Sequence, residues 1–308
     1  MTVNILRSIS DLATVRGPVV LAVGVFDGFH LGHRAVIERA LADAAVAGGT
    51  AVVVTFDPHP AAILRPQNAP PLLTSTRHKI RLLHEAGMQH VLVLQFTPEF
   101  AAKAPENFIA ELTAACRPLR EICVGEDWAF GKERAGNLAL LKSLGMKLGF
   151  DAVGIPAVAV DGRAVSSTVI RAAVEDGALD NAARLLGRDF GVFGTVIEGR
   201  RLGRTLGFPT ANIRPESEQL PPNGVYAVRV AIDGKLHSGI ANVGVRPTVS
   251  GGAAQRIVEV HIFDFNGEIY GSDIEVIFHR FIRPEIKFPN LEALCAQIAH
   301  DIAEVRGG

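Results

Sequence analysis

Ten residues near the start of the chain have the types and spacing to hold a nucleotide's phosphates: Gly24-Val25-Phe26-Asp27-Gly28-Phe29-His30-Leu31-Gly32-His33. Gly28 and Gly32 let the backbone approach a ligand closely. His30 and His33 are three apart, so on a helical turn their imidazoles point the same way. An apolar run from Val19 to Val25 reads as a buried strand. After the histidines, Val36, Ile37, Ala40, Leu41, Ala44 and Ala45 fall on one face of a helical pattern. The stretch is therefore a strand, a glycine-rich turn and the first turn of a helix. A helix N-terminus carries unpaired N–H groups and a partial positive charge, which suits the oxygens of a triphosphate. Two histidines can also bind a metal, but no third ligand of comparable quality stands nearby in sequence.

Three further stretches carry polar or rigid groups. Phe56-Asp57-Pro58-His59-Pro60 follows a strand pattern, and its two prolines make a stiff wall on which a flat ring could pack. A simple strand-ending turn accounts for it equally well. Val124-Gly125-Glu126-Asp127-Trp128-Ala129-Phe130-Gly131-Lys132 follows another strand and supplies a polar group and two aromatic rings. In Val165-Ser166-Ser167-Thr168-Val169-Ile170-Arg171, one hydroxyl would serve as a helix N-cap. Three hydroxyls with an arginine one turn later exceed what a cap requires, and read as a phosphate grip at a second helix N-terminus.

Elements that could position these groups alternate along the first half. Strand patterns cover Val19–Phe26, Ala51–Phe56, Val91–Phe96, Glu121–Val124 and Ala152–Val160. Helical patterns cover Arg34–Ala47, Arg77–Ala86, Pro105–Cys116 and Asn137–Leu148, with Pro105 at a helix start and Gly48, Gly87 and Gly149 as C-terminal caps. Near-continuous apolar strands joined by helices predict a parallel α/β sheet covered on both faces. Ligands of such sheets bind at the carboxyl ends of the strands, where these stretches fall.

The texture changes near Gly187-Arg188-Asp189. Tyr226, Val228, Val230 and Ile232 alternate before an Asp233-Gly234 turn; Val258, Val260 and Ile262 alternate before Asn266-Gly267; Ile274, Val276 and Phe278 repeat the pattern. A last helix, Leu291 to Val305, puts Leu291, Leu294, Ile298 and Ile302 on one stripe. The expected organisation is an α/β parallel-sheet domain over 1–186 and a small antiparallel β-barrel with a C-terminal helix over 187–308.

Within the barrel half, Gly199-Arg200-Arg201-Leu202-Gly203-Arg204-Thr205-Leu206-Gly207-Phe208-Pro209-Thr210-Ala211-Asn212 is a pliable loop with three arginines. Glu259 lies opposite the Val258, Val260, Ile262 face, so it need not be a buried charge. The 308 residues allow two domains with ample cores, and 48% hydrophobic with 20% charged residues is a globular balance. A net charge of −1 gives no basic field for nucleic acid. No apolar stretch reaches the ~18 residues of a membrane span. Three cysteines, Cys116, Cys123 and Cys295, form no Cys-x-x-Cys and fit a reducing cytoplasm.

The first stretch resembles the His-x-Gly-His signature of the nucleotidyltransferase superfamily, in the longer form of prokaryotic FAD synthetases. Ser166-Ser167-Thr168-x-x-Arg171 resembles the motif that accompanies it. Pro209-Thr210-Ala211-Asn212, Asn242-Val243-Gly244-Val245-Arg246-Pro247-Thr248, Val258-Glu259-Val260-His261-Ile262 and Arg283-Pro284-Glu285 with Phe288 resemble riboflavin kinase. In the aromatic loop the family usually has arginine where Ala129 stands. The resemblance to bifunctional riboflavin kinase/FAD synthetase implies two steps: ATP phosphorylates riboflavin to FMN, and FMN takes an adenylyl group from a second ATP to give FAD and pyrophosphate. It implies that Gly24, Phe26, Asp27, Gly28, His30, Gly32, His33, Ser167, Thr168 and Arg171 bind ATP for adenylyl transfer, with His30 and His33 stabilising charge. Pro58, Pro60, Asp127 and Phe130 would face the flavin. In the kinase, Gly203, Gly207, Pro209, Thr210 and Asn212 would hold ATP, Thr210 and Asn212 its Mg2+ ion, and Glu259 would be the general base, with Arg283 and Glu285 at the flavin. One rival is a nucleotidyltransferase with a non-catalytic flavin-binding barrel. The other is a flavin-carrying redox protein, for which a reactive cysteine pair or nicotinamide fingerprint is missing from the sequence.

Overall fold

A computed structural model of the chain describes residues 3–199, 206–216, 219–246 and 255–307. Packing divides it into two compact units, Met1–Pro70 with Thr76–Ser167, and Pro71–Ser75 with Thr168–Gly308.

The first unit runs β1 (Asn4–Leu6), β2 (Val19–Val23), α1 (Leu31–Val46), β3 (Thr50–Asp57), α2 (Pro60–Leu64), α3 (Thr76–Glu85), β4 (His90–Gln95), α4 (Pro98–Ala101), α5 (Pro105–Ala115), β5 (Leu119–Gly125), α6 (Leu138–Leu148), β6 (Asp151–Ile155), β7 (Ala159–Val160) and β8 (Arg163–Ala164). The first six strands form one sheet in the order β1-β4-β3-β2-β5-β6, every neighbouring pair parallel. Alternation along β2 shows why both faces are covered. Val19, Leu21 and Val23 pack with Phe108, Leu112 and Leu141 on one side. Val20 and Ala22 pack with Ile37, Ala40 and Leu83 on the other. The strand order reverses at β2, since β3 and β4 lie to one side and β5 and β6 to the other. Beyond the carboxyl ends of strands at such a switch point lies the crevice where ligands of open α/β sheets bind.

Two sequence expectations are corrected here. The strand expected over Val19–Phe26 ends at Val23, because Phe26 takes a left-handed φ of 55° that no strand continues. The run expected over Ala152–Val160 stops at Ile155, before Pro156, which has no N–H for a ladder. Its last two residues form β7, which pairs with β8 in a hairpin turned by Asp161 and Gly162 with φ of 50° and 76°. Gly149 caps α6 in the left-handed region as expected.

The second unit holds α7 (Ser167–Glu175, of which Ser167 packs with the first unit), α8 (Leu179–Leu186), β9 (Gly191–Ile197), β10 (Ala211–Pro215), β11 (Gly224–Ile232), β12 (Lys235–Arg246), β13 (Gln255–Ile262), β14 (Asp273–Arg283) and α9 (Leu291–Gly307). Six antiparallel strands close a barrel in the order β10-β13-β12-β11-β14-β9. Inward residues such as Val228, Val230, Val258, Val260, Ile274 and Val276 are fully or nearly fully buried. The stripe expected to bury α9 is only half-covered, and Leu291 is exposed. The buried residue of α9 is instead Asp301, which accepts hydrogen bonds from Arg283 Nε at 3.0 Å and Nη2 at 2.8 Å. A charge pair therefore fastens the helix to β14.

Breaking a buried ion pair on one side leaves a lone charge in a dry site, a loss of about 3–5 kcal/mol. Asp301→Ala should lower stability by that order in urea unfolding followed by circular dichroism. Arg283→Met with Asp301→Leu should recover most of it. Equal losses in single and double variants would refute the clamp.

Candidate active sites

The turn from β2 into α1 is held by its carbonyl groups. Val25 O accepts from the Thr55 hydroxyl at 3.0 Å and from Lys79 Nζ at 2.9 Å. Asp27 O accepts from the Ser167 hydroxyl at 2.9 Å. Phe26, Gly28 and Phe29 all have positive φ, at 55°, 80° and 40°. Left-handed residues in such a turn can point successive N–H groups toward one side, the kind of concavity in which backbone binds anions. Glycine is required at Gly24, where a Cβ would lie 2.9 Å from the Phe26 ring. At Gly32 the helix passes under His30, whose ring a Cβ would crowd at 3.2 Å.

His30 is the N-cap of α1, and its Nδ1 accepts from the His33 backbone N–H at 3.3 Å. An accepting Nδ1 puts the ring proton on Nε2, so His30 is a neutral donor at that atom. The two imidazoles stack with centroids 3.6 Å apart and 18° between planes. Phe26 meets His33 edge-on at 5.3 Å. Burial holds the His33 pKa well below the ordinary histidine value, and positive charge on Lys79, or on His30 when it is protonated, adds to the effect. His33 Nδ1 is buried without a hydrogen-bond partner. Among the described residues no third metal-ligating side chain joins this pair. The group of three that does lie close together is Asp43, Glu121 and Cys123, where Cys123 Sγ donates to Glu121 at 3.0 Å and burial pushes the thiol pKa up.

The other sequence-singled residues of the first unit leave from the same sheet edge. Pro58 and Pro60 follow β3, and Asp127 and Phe130 follow β5, the two strands flanking β2. Pro60 is the first residue of α2, with His59 as its N-cap. Phe130 is buried in the core, and half-buried Trp128 stacks on it at 4.3 Å and 12°. Asp127 is exposed. Thr168 and Arg171 belong to the second unit, where Arg171 Nε donates to Pro71 O at 2.6 Å. Lys79 was missed in sequence. It shares a helix face with buried Leu82 and Leu83, so a charge among apolar positions was the available signal.

In the barrel, register sets Asn212 of β10 beside Glu259 of β13, and Glu259 beside Asn242 of β12. Neighbours of each face the core, so this polar row lies on the opposite face. Asn242 Nδ2 donates to Glu285 Oε1 at 3.2 Å, which ties Glu285 to the row. Asn212 Oδ1 is buried without a partner. A Cβ at Gly199 would collide with the Asn212 amide, so Gly199 lies directly against it. Pro209 and Thr210 line a cavity of about 540 Å³ with Val260, Phe265 and Tyr270. Gly207 is exposed, with φ of 84°. Gly203 lies outside the described residues, as do Arg200, Arg201, Arg204, Thr205, Pro247 and Thr248. Arg283 is engaged by Asp301 and lies 5.8 Å over the Phe288 ring.

Residues 13–169 match the FAD synthetase family model and residues 186–307 the riboflavin kinase model. The bifunctional riboflavin kinase/FMN adenylyltransferase of Escherichia coli (strain K12) is 38% identical over 300 residues, 97% of this chain and 95% of that protein. The chain belongs to this bifunctional family. The Haemophilus influenzae member is 37% identical, covering 97% of each chain. A solved structure described as a macrolide-efflux protein from Streptococcus pneumoniae superposes with a TM-score of 0.84 at 29% identity, over 99% of this chain and 100% of that one. No helix among the described residues is long and apolar enough to cross a membrane.

His33 should titrate well below pH 6.5 in the free protein, which its imidazole proton resonances would report. Because its folded pKa is depressed, the unfolded chain binds the proton more readily, and His33 costs stability only as pH falls below about 6.5. ATP should raise that pKa by placing anionic charge beside the ring. An ordinary titration midpoint in the free protein would contradict the burial argument.

Proposed function

We propose that this chain makes FMN and FAD in succession, phosphorylating riboflavin with ATP in the barrel and adenylylating FMN with a second ATP in the α/β unit. One observation carries the reading. A helix N-terminus bearing two stacked imidazoles and a carbonyl-anchored anion turn occurs with a carboxylate set between two carboxamides on a barrel, in one chain. The functional division is proposed at residue 186, in a cytoplasmic enzyme. With both modules present, a barrel that only binds flavin is not favoured.

In the kinase reaction Glu259 accepts the proton of the riboflavin 5′-hydroxyl as that oxygen attacks the γ-phosphorus of ATP, and ADP leaves. Asn242, held by Glu285, flanks the carboxylate on the neighbouring strand. The orphaned Asn212 oxygen and the Thr210 hydroxyl are hard donors of the kind Mg2+ prefers, and they fit this ion. When bound, Mg2+ neutralises charge on the transferring phosphates. Pro209, Gly207 and Gly203 are assigned to the nucleotide, and Arg283 and Glu285 to the flavin side.

In the adenylyl transfer an oxygen of the FMN phosphate attacks the α-phosphorus of ATP, and the bond to pyrophosphate breaks. Neutral His30 donates from Nε2 and His33 lies stacked beside it, so both meet charge as it grows on the leaving group. Gly24, Phe26, Asp27, Gly28 and Gly32 supply backbone to the phosphates. Ser167 anchors the turn, and Thr168 and Arg171 are assigned to the β- and γ-phosphates on their motif. Pro58, Pro60, Asp127 and Phe130 are assigned to the flavin end.

Riboflavin with Mg-ATP should give FMN and then FAD on chromatography. Glu259→Gln should lower FMN formation about 10²–10⁴-fold and spare FAD formation from supplied FMN. His33→Ala should do the reverse, by roughly 10²–10³-fold. Loss of both reactions in either properly folded variant would overturn the allocation.

A further inference from the structure

The reaction as described leaves the buried charge of Lys79 unused. Lys79 is 4% exposed, in a sheet-facing position on α3, and its ammonium reaches across to the carbonyl of Val25. That carbonyl already accepts from Thr55. A second donor is not needed to satisfy it, and burying an ammonium costs far more than burying a methionine of similar length. What Lys79 adds is positive charge. Asp27 in the turn and Asp57 at the end of β3 both act on it, and its own charge acts on His33 of α1, beside His30. On its own helix the neighbouring titratable group is His78, which is fully buried.

We propose that Lys79 is a positioning residue for adenylyl transfer, holding the Val25 carbonyl away from the nucleotide so that the following turn presents its N–H groups and His33 to the phosphates. The proposal rests on the assignment of ATP to the Gly24–His33 turn. The Val25 carbonyl immediately precedes left-handed Phe26, so its direction sets the plane of the next peptide. Release of that carbonyl would let the turn relax toward ordinary backbone and point an oxygen at an anion. The field of the ammonium also favours anionic phosphates without adding a contact to them. Burial pushes the Lys79 pKa down to about 8, against the opposite pull of Asp27 and Asp57. The charge is therefore present below that pH in the free enzyme and lost above it, while a neutral amine can still donate to Val25.

The test measures FMN adenylylation and riboflavin phosphorylation by the full-length chain carrying Lys79→Met or Lys79→Arg, as profiles of kcat/KM for ATP against pH. In the unsubstituted chain adenylylation should fall above pH of about 8, since this parameter reports groups of the free enzyme. Lys79→Met should lower it about 10²-fold at neutral pH, as a small displacement of a reacting group does, and remove the alkaline fall. Lys79→Arg, which keeps its charge, should retain most of the activity and also lose that fall. Phosphorylation should be unchanged in both. A merely structural lysine would leave the shape of the profile in place. Lys79→Met with unaltered rate and profile, or a fall near pH 8 that persists in Lys79→Arg, overturns the proposal; if Lys79→Met does not fold, the Arg profile decides alone. His33→Ala, measured in parallel, separates the premises: undiminished adenylylation there would remove ATP from this turn and the proposal with it.

Discussion

A strand buried on both faces has to hand its chain over to solvent without leaving a carbonyl unpaired in a dry site, and the first site of this protein is built on that handover. β2 is enclosed by two core clusters up to Val23, and the next exposed helix face begins only beyond His33. Between them three residues, Phe26, Gly28 and Phe29, take a left-handed φ. Two of those residues are phenylalanines, for which a left-handed backbone costs of order 1–3 kcal/mol. Such a conformation persists only where its surroundings over-determine it. Here Thr55, Lys79 and Ser167, from three separate elements, take the carbonyls of Val25 and Asp27. The proposed binding of phosphate at this turn follows from how these two carbonyls are disposed of.

The barrel solves a different problem with a different periodicity. Its core takes every second residue of each strand, which leaves the alternate residues for chemistry at no cost to packing. Register then does what a turn does in the first unit: it aligns Asn212, Glu259 and Asn242 across three neighbouring strands. A one-residue slip would put all three into the core in place of Val258 and Val260, a change no small barrel would tolerate. The row is as well specified as the core beneath it. Glu285, from the segment beyond β14, reaches the row through Asn242, and the Arg283–Asp301 pair fastens that same segment to α9.

Periodic features were legible in the sequence, and tertiary partnerships were not. The apolar strands, the amphipathic helices and the Asp233-Gly234 turn all follow from local pattern, and the stretches after β2, β3 and β5 leave the carboxyl edge of the sheet. β1, with three residues, is too short to carry a period, and only its pairing with β4 makes it a strand. The run Ala152–Val160 was apolar throughout, and Pro156 divides it. Lys79 and Asp301 each look like a solvated charge in a helix until the partner from a distant element is seen. Arg283, assigned to the flavin side on its place beside Pro284 and Glu285, likewise pairs with Asp301 in a way no local pattern announces. Partners 18 and 54 residues away leave no mark within a helical or strand window.

The charge state of the two histidines bears on how binding energy is used. Imidazoles stacked at 3.6 Å in a partly dry site repel each other strongly if both are protonated, and His33 is held neutral by its burial. A doubly charged pair would attract the triphosphate of bound ATP about as well as the transition state, and binding of that uniform kind does not speed the chemical step. A neutral pair interacts modestly with the ground state. In the proposed reaction, as the bond to the α-phosphorus breaks, negative charge would grow on the departing pyrophosphate, and the same N–H dipoles would then gain energy that they did not have before. The backbone N–H groups of the turn behave likewise, since their direction is fixed before the nucleotide arrives and needs no reorganisation. Burial of His33 without a partner for Nδ1 is, on this account, a cost to the folded state that favours the reaction over tight binding of its substrate.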